Sequence, residues 1–356
     1  MTTPALLRLR ERFPQAHIAL LTPAKLADLW HHHPALSEVI SFYPGEGSWT
    51  ISRRLKSGNF DVGLVLPNSP RSALELWLAH IPERIGYRRP WRNWLLTRRL
   101  SNRPGQHRMP KRSSREIRRL AACSTPAQAA SAELTLAAHQ MHDYLHLAAA
   151  LGANPAPLAP ALVVTSAEMT AVAQRFELSL DVPILGLNPG AEYGPAKRWP
   201  PERFVEAAVA IQRRMHCHWL ILGGAGDARL GGRVAEGIRR ALSGEPDELQ
   251  PFNLAGQTSL RDLLALLKLC RVVLTNDTGP MHAAAAVGTR VVVPFGSTSP
   301  ELTAPGLPGD PRHQLLRAPV ACSPCFRRVC PIDFRCMRAI TVDRVIAAVI
   351  HAAAPA

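Results

Sequence analysis

"RVVLTNDTGPMHAAAAVGTRVVVPFG", residues 271–296, encloses a polar turn and an alanine-rich helix between two runs of β-branched residues. Short runs that are apolar along their whole length belong to strands buried on both faces. Two such strands in sequence need a crossover to run parallel, and the helix supplies it. The stretch therefore reads as one step of an α/β fold whose parallel sheet is covered by helices on both sides.

The same rhythm extends in both directions. Upstream in the second half come "PILGLNPG" (183–190), "HWLILGG" (218–224) and "FNLAG" (252–256), which with 271–277 and 290–296 make five strands separated by helices. In the first half "HIALL" (17–21), "EVISF" (38–42), "DVGLVL" (61–66) and "RIGY" (84–87) are strand candidates, with helices predicted over 4–12 and 69–79 among others. The Pro- and Ala-rich "GANPAPLAP" (152–160) leads into a linker, so two domains are expected, 1–165 and 166–340, followed by a closing helix within 341–356.

The chain has 356 residues, 47% of them hydrophobic, and 42 Lys and Arg against 27 Asp and Glu give a net charge of +15. Such a surface attracts polyanions: nucleic acid, anionic lipid or phosphorylated substrates. No apolar run approaches the roughly 18 residues of a membrane span, and the start alternates apolar residues with Arg where a signal peptide would be unbroken. A cytoplasmic protein is expected. Four of the seven cysteines fall in one short segment, which argues against a secreted disulfide framework. Between Arg84 and Arg119 there are thirteen Lys or Arg and one Glu. The stretch, part of an insert over about 88–138, reads as a solvated basic loop or as a contact for membrane or acceptor. Nucleic acid is not expected, because no stacking module or zinc-finger spacing accompanies it.

In a doubly wound sheet of order 3-2-1-4-5, strands 1 and 4 meet where the winding reverses, and ligands bind beyond their carboxyl ends. Here strand 1 runs into "NPGAEYGPAKRWP" and strand 4 into "NDTGPMH", so the two most polar loops face each other. Each ends in a helix start, at Pro200 or Pro201 and at Asp277 or Thr278 with Gly279 and Pro280 following. Two helix N-termini with Lys197 and Arg198 make a diphosphate site. Either loop alone is no more than a helix start; their joint placement carries the reading. "GGAGDARLGG" (223–232) does not have the glycine register of a nicotinamide fingerprint and reads as a loop lining the nucleoside end of the crevice.

"LNPGAEYGPAKRWPPERF", "FNLAGQTSLRDLLALL" and "TNDTGPMHAAAAVGTRVVVPFGSTSPE" resemble, in order and spacing, the heptosyltransferases of glycosyltransferase family 9. The resemblance implies a GT-B fold, two Rossmann-like doubly wound domains with the active site in the cleft between them and a closing helix that returns to the first. It implies an ADP-heptose donor in the C-terminal domain and a heptosylated lipid A-core acceptor in the N-terminal one. Transfer would proceed with inversion, without metal or cofactor, on the cytoplasmic surface of the inner membrane. The donor set carried over is Asn188, Gly190, Lys197, Arg198, Asp227, Asn276, Asp277, Thr278, Gly279 and His282, with Lys197 and His282 as transition-state contacts. In the family a strand and a Gly-Asp turn bearing the general base precede the equivalent of Thr3. This chain opens at Met1-Thr2-Thr3-Pro4, so that Asp is absent from it; a start assigned too late is the expected cause, the alternative being a nucleotide-sugar-binding homologue that lacks the base. Without that strand the first sheet is expected to lose its centre.

Cys322, Cys325, Cys330 and Cys336 are spaced as C-x2-C-x4-C-x5-C, which suits either a zinc site or unligated, redox-active thiols. The run His31 to His33 stands at a helix end before Pro34, a favourable place for His irrespective of metal. Trp199 and Phe204 are expected to pack.

Overall fold

The computed structural model describes residues 1–107, 109–122, 135–244 and 250–354. They fall into two compact units, Met1–His107 with Ala137–Pro160, and Arg108–Leu136 with Ala161–Ala356.

The first unit begins with α1 (Thr3–Arg12) and continues through β1 (Ala19–Pro23), β2 (Glu38–Phe42), α2 (Ser48–Ser57), β3 (Val62–Val65), α3 (Pro70–Leu78), β4 (Glu83–Tyr87) and β5 (Arg98–Leu100). All strands are parallel, but they form two ladders, β1–β2 and β3–β4–β5. Among the described residues no ladder joins β1 to β3. Helices hold the halves together: Ala5 and Leu9 of α1 pack with Met141, Leu145 and Ala148 of α5 (Met141–Ala149), and both Ile18 and Leu64 lie against that cluster. The start of α3 is written in its sequence, with Ser69 accepting from Ser72 N (3.2 Å) and Pro70 occupying the first turn.

The insert departs from expectation. Its helix α4 (Ser114–Ala122) belongs to the second unit, because Ile117 packs with Cys322 and Cys325 and Arg112 N donates to Cys325 O (3.1 Å). Residues 108 and 123–134 of the insert lie outside the described residues.

The second unit contains α6 (Ser166–Arg175), β6 (Ile184–Asn188), α7 (Pro201–Met215), β7 (His218–Ile221), α8 (Ala228–Ala241), β8 (Phe252–Asn253), α9 (Leu260–Leu269), β9 (Val272–Thr275), α10 (Gly279–Ala286), β10 (Arg290–Phe295), the short α11 (Pro300–Thr303), β11 (Gln314–Arg317), α12 (Arg335–Arg338) and α13 (Val342–Ala353). Its six parallel strands follow the order β11-β10-β9-β6-β7-β8. This is the expected 3-2-1-4-5 order plus one strand, β11. Leu185, Leu187, Trp219, Val272, Leu274 and Val292 of the sheet pack with Phe204, Ala208 and Ile211 of α7 and with Val345 and Val349 of α13. The closing helix covers its own unit's sheet, its apolar face taken up by α7 and β10.

Candidate active site

The pairing of β6 with β9 brings Asn188 opposite Thr275, so the two polar loops leave the sheet side by side. Asn276 fastens them together. Its Oδ1 accepts from Trp199 N (2.9 Å), and its Nδ2 donates to Pro189 O (2.8 Å) and Gly190 O (3.3 Å). The side chain is fully buried and its hydrogen bonds go to backbone, so Asn276 shapes the site rather than offering itself to a donor molecule. Trp199 is buried against Phe204, ring centroids 5.2 Å apart, and its Nε1 donates to Ile340 O (3.0 Å), in keeping with a packing role.

Lys197 and Asp277 meet at the crest of these loops. The ammonium lies 2.6 Å from Asp277 Oδ2 and donates to Asp277 O (3.2 Å), while Thr298 Oγ1 donates to the same carboxylate oxygen (2.5 Å). Asp277 is buried and Lys197 nearly so. A buried ion pair of this kind fixes the position of its cation, and removing either partner leaves an uncompensated charge. The ring of Tyr193 carries the ammonium of Lys197 on it, 5.1 Å from the centroid, and the guanidinium of Arg328 at 5.4 Å. Arg328 also donates to Tyr193 O (2.6 Å) and accepts from Ala196 N (3.0 Å). Gly194, at φ 145°, permits that approach, since any Cβ there would run into the Arg328 backbone.

The helix starts stand as the sequence implied. α10 begins after Thr278 and α7 after Pro200, and neither has a side chain capping its first turn. Gly279 is exposed at the mouth of α10, and His282 follows half-buried one turn on. Asp227, after β7, lies against Gly190, where a Cβ would collide with its carboxylate, and 3.9 Å from Arg198. Three buried polar atoms around this crest have no hydrogen-bond partner: Asn188 Oδ1, Arg198 Nε and Ser297 Oγ. Such atoms are uncommon in folded proteins.

Thr298, Tyr193 and Arg328 were not among the residues expected from sequence. "GSTSPE" after β10 carried a usable signal for Thr298: a third polar loop at the carboxyl end of the strand beside β9. Nothing local marks Arg328, which reaches Tyr193 across 135 positions of chain.

The cysteine segment packs over this third loop, with Cys325 N and Phe326 N donating to Ser297 O (3.1 and 2.7 Å) and Ser323 Oγ to Gly296 O (2.6 Å). Burial pushes the Cys322 and Cys325 thiols up and that of Cys336 to about 12. Among the described residues no group of three or more His, Cys, Asp or Glu is arranged to hold a metal ion, which covers the four cysteines and His31 to His33 alike.

The model of glycosyltransferase family 9 (heptosyltransferase) matches residues 48–334. The chain belongs to glycosyltransferase family 9. Among relatives of this glycosyltransferase, the lipopolysaccharide heptosyltransferase 2 of Salmonella typhimurium is 32% identical over 304 residues, covering 83% of this chain and 79% of the relative. The Escherichia coli lipopolysaccharide heptosyltransferase 2 is likewise 32% identical over 306 residues, with 83% and 79% covered. The solved structure of E. coli ADP-heptose LPS heptosyltransferase II superimposes with a TM-score of 0.76 at 26% identity, covering 99% of this chain and 94% of that one. A family 9 glycosyltransferase of Veillonella parvula gives the same TM-score of 0.76 at 19% identity, which speaks for the fold alone. The fold is GT-B, and the chain is a family 9 transferase.

Proposed function

We propose that this transferase is a lipopolysaccharide heptosyltransferase II. It moves heptose from ADP-heptose to a hydroxyl of the heptosylated inner core of a lipid A-core acceptor, with inversion, ADP leaving and the hydroxyl proton passing to a general base, on the cytoplasmic face of the inner membrane. The observation that carries the donor side is the Lys197–Asp277–Thr298 cluster between two helix starts that no side chain caps. As the sugar departs, negative charge grows on the ADP diphosphate. The first-turn amides of α10 and the Lys197 ammonium stabilise it, each donor of this kind being worth about 3 kcal/mol in the transition state. Asp277 and Thr298 keep that ammonium in place before the donor arrives, so little reorganisation accompanies the reaction. Arg198 adds a second cation, and Asp227, beside Gly190, meets the hydroxyls of the nucleoside on this reading. With the diphosphate neutralised by side chains and amides, the transfer needs no metal ion.

A turnover assay tests the reading. Purified protein with ADP-heptose and a lipid A-core acceptor carrying one heptose should yield ADP and an acceptor heavier by one heptose, unaffected by a chelator. Release of ADP from other nucleotide sugars in preference to ADP-heptose, or a strict requirement for divalent metal, would contradict it.

A further inference from the structure

The first unit presents an aromatic and cationic face that neither its core nor the donor site uses. Trp77 of α3 and Trp94 of the β4–β5 connection meet edge to face, centroids 5.9 Å apart, yet they stay 42% and 63% exposed, and Trp91 is 85% exposed. Indoles grouped on a surface mark a place where something binds.

The connection is built so that these rings stay outside. Arg92, between Trp91 and Trp94 in sequence, points inward and is fully buried, its Nη1 donating to Pro67 O (2.6 Å). Leu95 and Leu96 pack with Val65 and Ala73. Trp91 takes φ 64°, a left-handed conformation that costs about 1 kcal/mol or more for a bulky side chain. Burying the ring does not offset that cost, because the ring is not buried.

Exposed arginines border the connection that carries Trp91 and Trp94. Arg88 directly follows β4, its N donating to Leu100 O (2.8 Å), and Arg99 of β5 pairs with Gly86. The connection covers Gly86, where a Cβ would meet Arg92 and Leu96. Arg88 and Arg99 are exposed, Arg99 Nε donating to Leu96 O (3.5 Å). From Arg84 to Arg99 the chain has six arginines and no acidic residue. Indoles suit the headgroup level of a bilayer and guanidinium groups suit its phosphates.

We infer that Trp77, Trp91 and Trp94, together with the exposed Arg88 and Arg99, seat the first unit on an anionic phospholipid surface. The inference rests on the reading of a membrane-borne acceptor and gives that reading a surface of contact. Cosedimentation of the full chain with phosphatidylglycerol–phosphatidylethanolamine vesicles tests it, with phosphatidylcholine vesicles and duplex DNA as comparisons. Wild type should bind the anionic vesicles in preference to both, and brominated lipid should quench its indole fluorescence. Arg88→Ser and Arg99→Ser should each weaken binding about fivefold, the factor for one cation at such a surface. Trp91→Gly suits the left-handed backbone, so it should leave thermal unfolding unchanged while reducing both vesicle binding and quenching; Trp94→Ala should do the same to the binding. All four variants should keep wild-type affinity for ADP. Equal vesicle binding by wild type and the Trp91→Gly, Trp94→Ala double variant would overturn the inference, as would equal affinity for neutral vesicles or tighter binding to duplex DNA. Failure of wild type to bind ADP, with vesicle binding intact, would instead sink the donor reading alone.

Discussion

The two units share one kind of chain, short apolar strands joined by helices, and yet they are built to different standards of continuity. In the second, six strands form an unbroken parallel sheet and its core runs from Leu185 through Trp219 to Val349. In the first, two ladders are held by small separate clusters, one centred on Ile51 and Leu55, another on Ala5 and Met141. The difference shows what a central strand does in a doubly wound fold. It joins the halves of the core, and it creates the crest where ligand loops converge; β6 and β9 do both in the second unit.

The largest expected effect probes that core. Trp199→Ala removes a fully buried indole and its hydrogen bond to Ile340 O, which should cost about 3–5 kcal/mol. Calorimetry should show the loss in the transition that ADP raises, whereas Ile51→Ala should lower a different one. A single transition shifted alike by both changes would break the contrast between the units.

A smaller effect sharpens the picture of how the second unit is fastened at its edge. Glu168 closes the capping box of α6 and meets Arg261 at 2.6 Å. Burial alone would raise its carboxyl, but Arg261 and Thr165 outweigh that and hold it at about 2, down from 4.5. A depressed carboxyl contributes its full stability above pH 4.5 and loses it as pH falls through 2. Glu168→Gln should therefore cost about 2 kcal/mol at pH 7, allowing for partial exposure, and the gap to wild type should close on acidification from pH 5 towards 2. A gap that stays constant with pH would contradict this.

The smallest effect is on chemistry without stability. Cys330 is partly exposed, while Cys322, Cys325 and Cys336 are buried with raised thiols. Alkylation of native protein should modify Cys330 first among these four, the others reacting only on unfolding. Equal rates for all four would show the segment to be open.

Much of the second unit was legible because its signals are local. Fully apolar runs mark β6, β7, β9 and β10, and the doubly wound pattern fixes their order, which sets the loop of Lys197 facing the loop of Asp277. β11 escaped notice because "QLLR" is short, lies at an edge and pairs only with β10. Distance along the chain hid the rest. Arg328 and Thr298 reach the crest through loops whose own sequence does not say where they fold. α4 carries the polar pattern of a surface insert, yet one buried side chain, Ile117, ties it to the cysteine segment more than two hundred positions away. Asn276 looked like a ligand contact because it is polar and next to Asp277, and only the geometry shows its amide given over to backbone.

The central claim is that Lys197, held by Asp277, grips the diphosphate of the donor. Calorimetric titration of ADP into wild type and Lys197→Ala tests it most directly. The account predicts metal-independent binding that weakens about tenfold to a hundredfold in the variant, the range for losing a charged hydrogen bond. An unchanged ADP affinity in folded Lys197→Ala protein would contradict it.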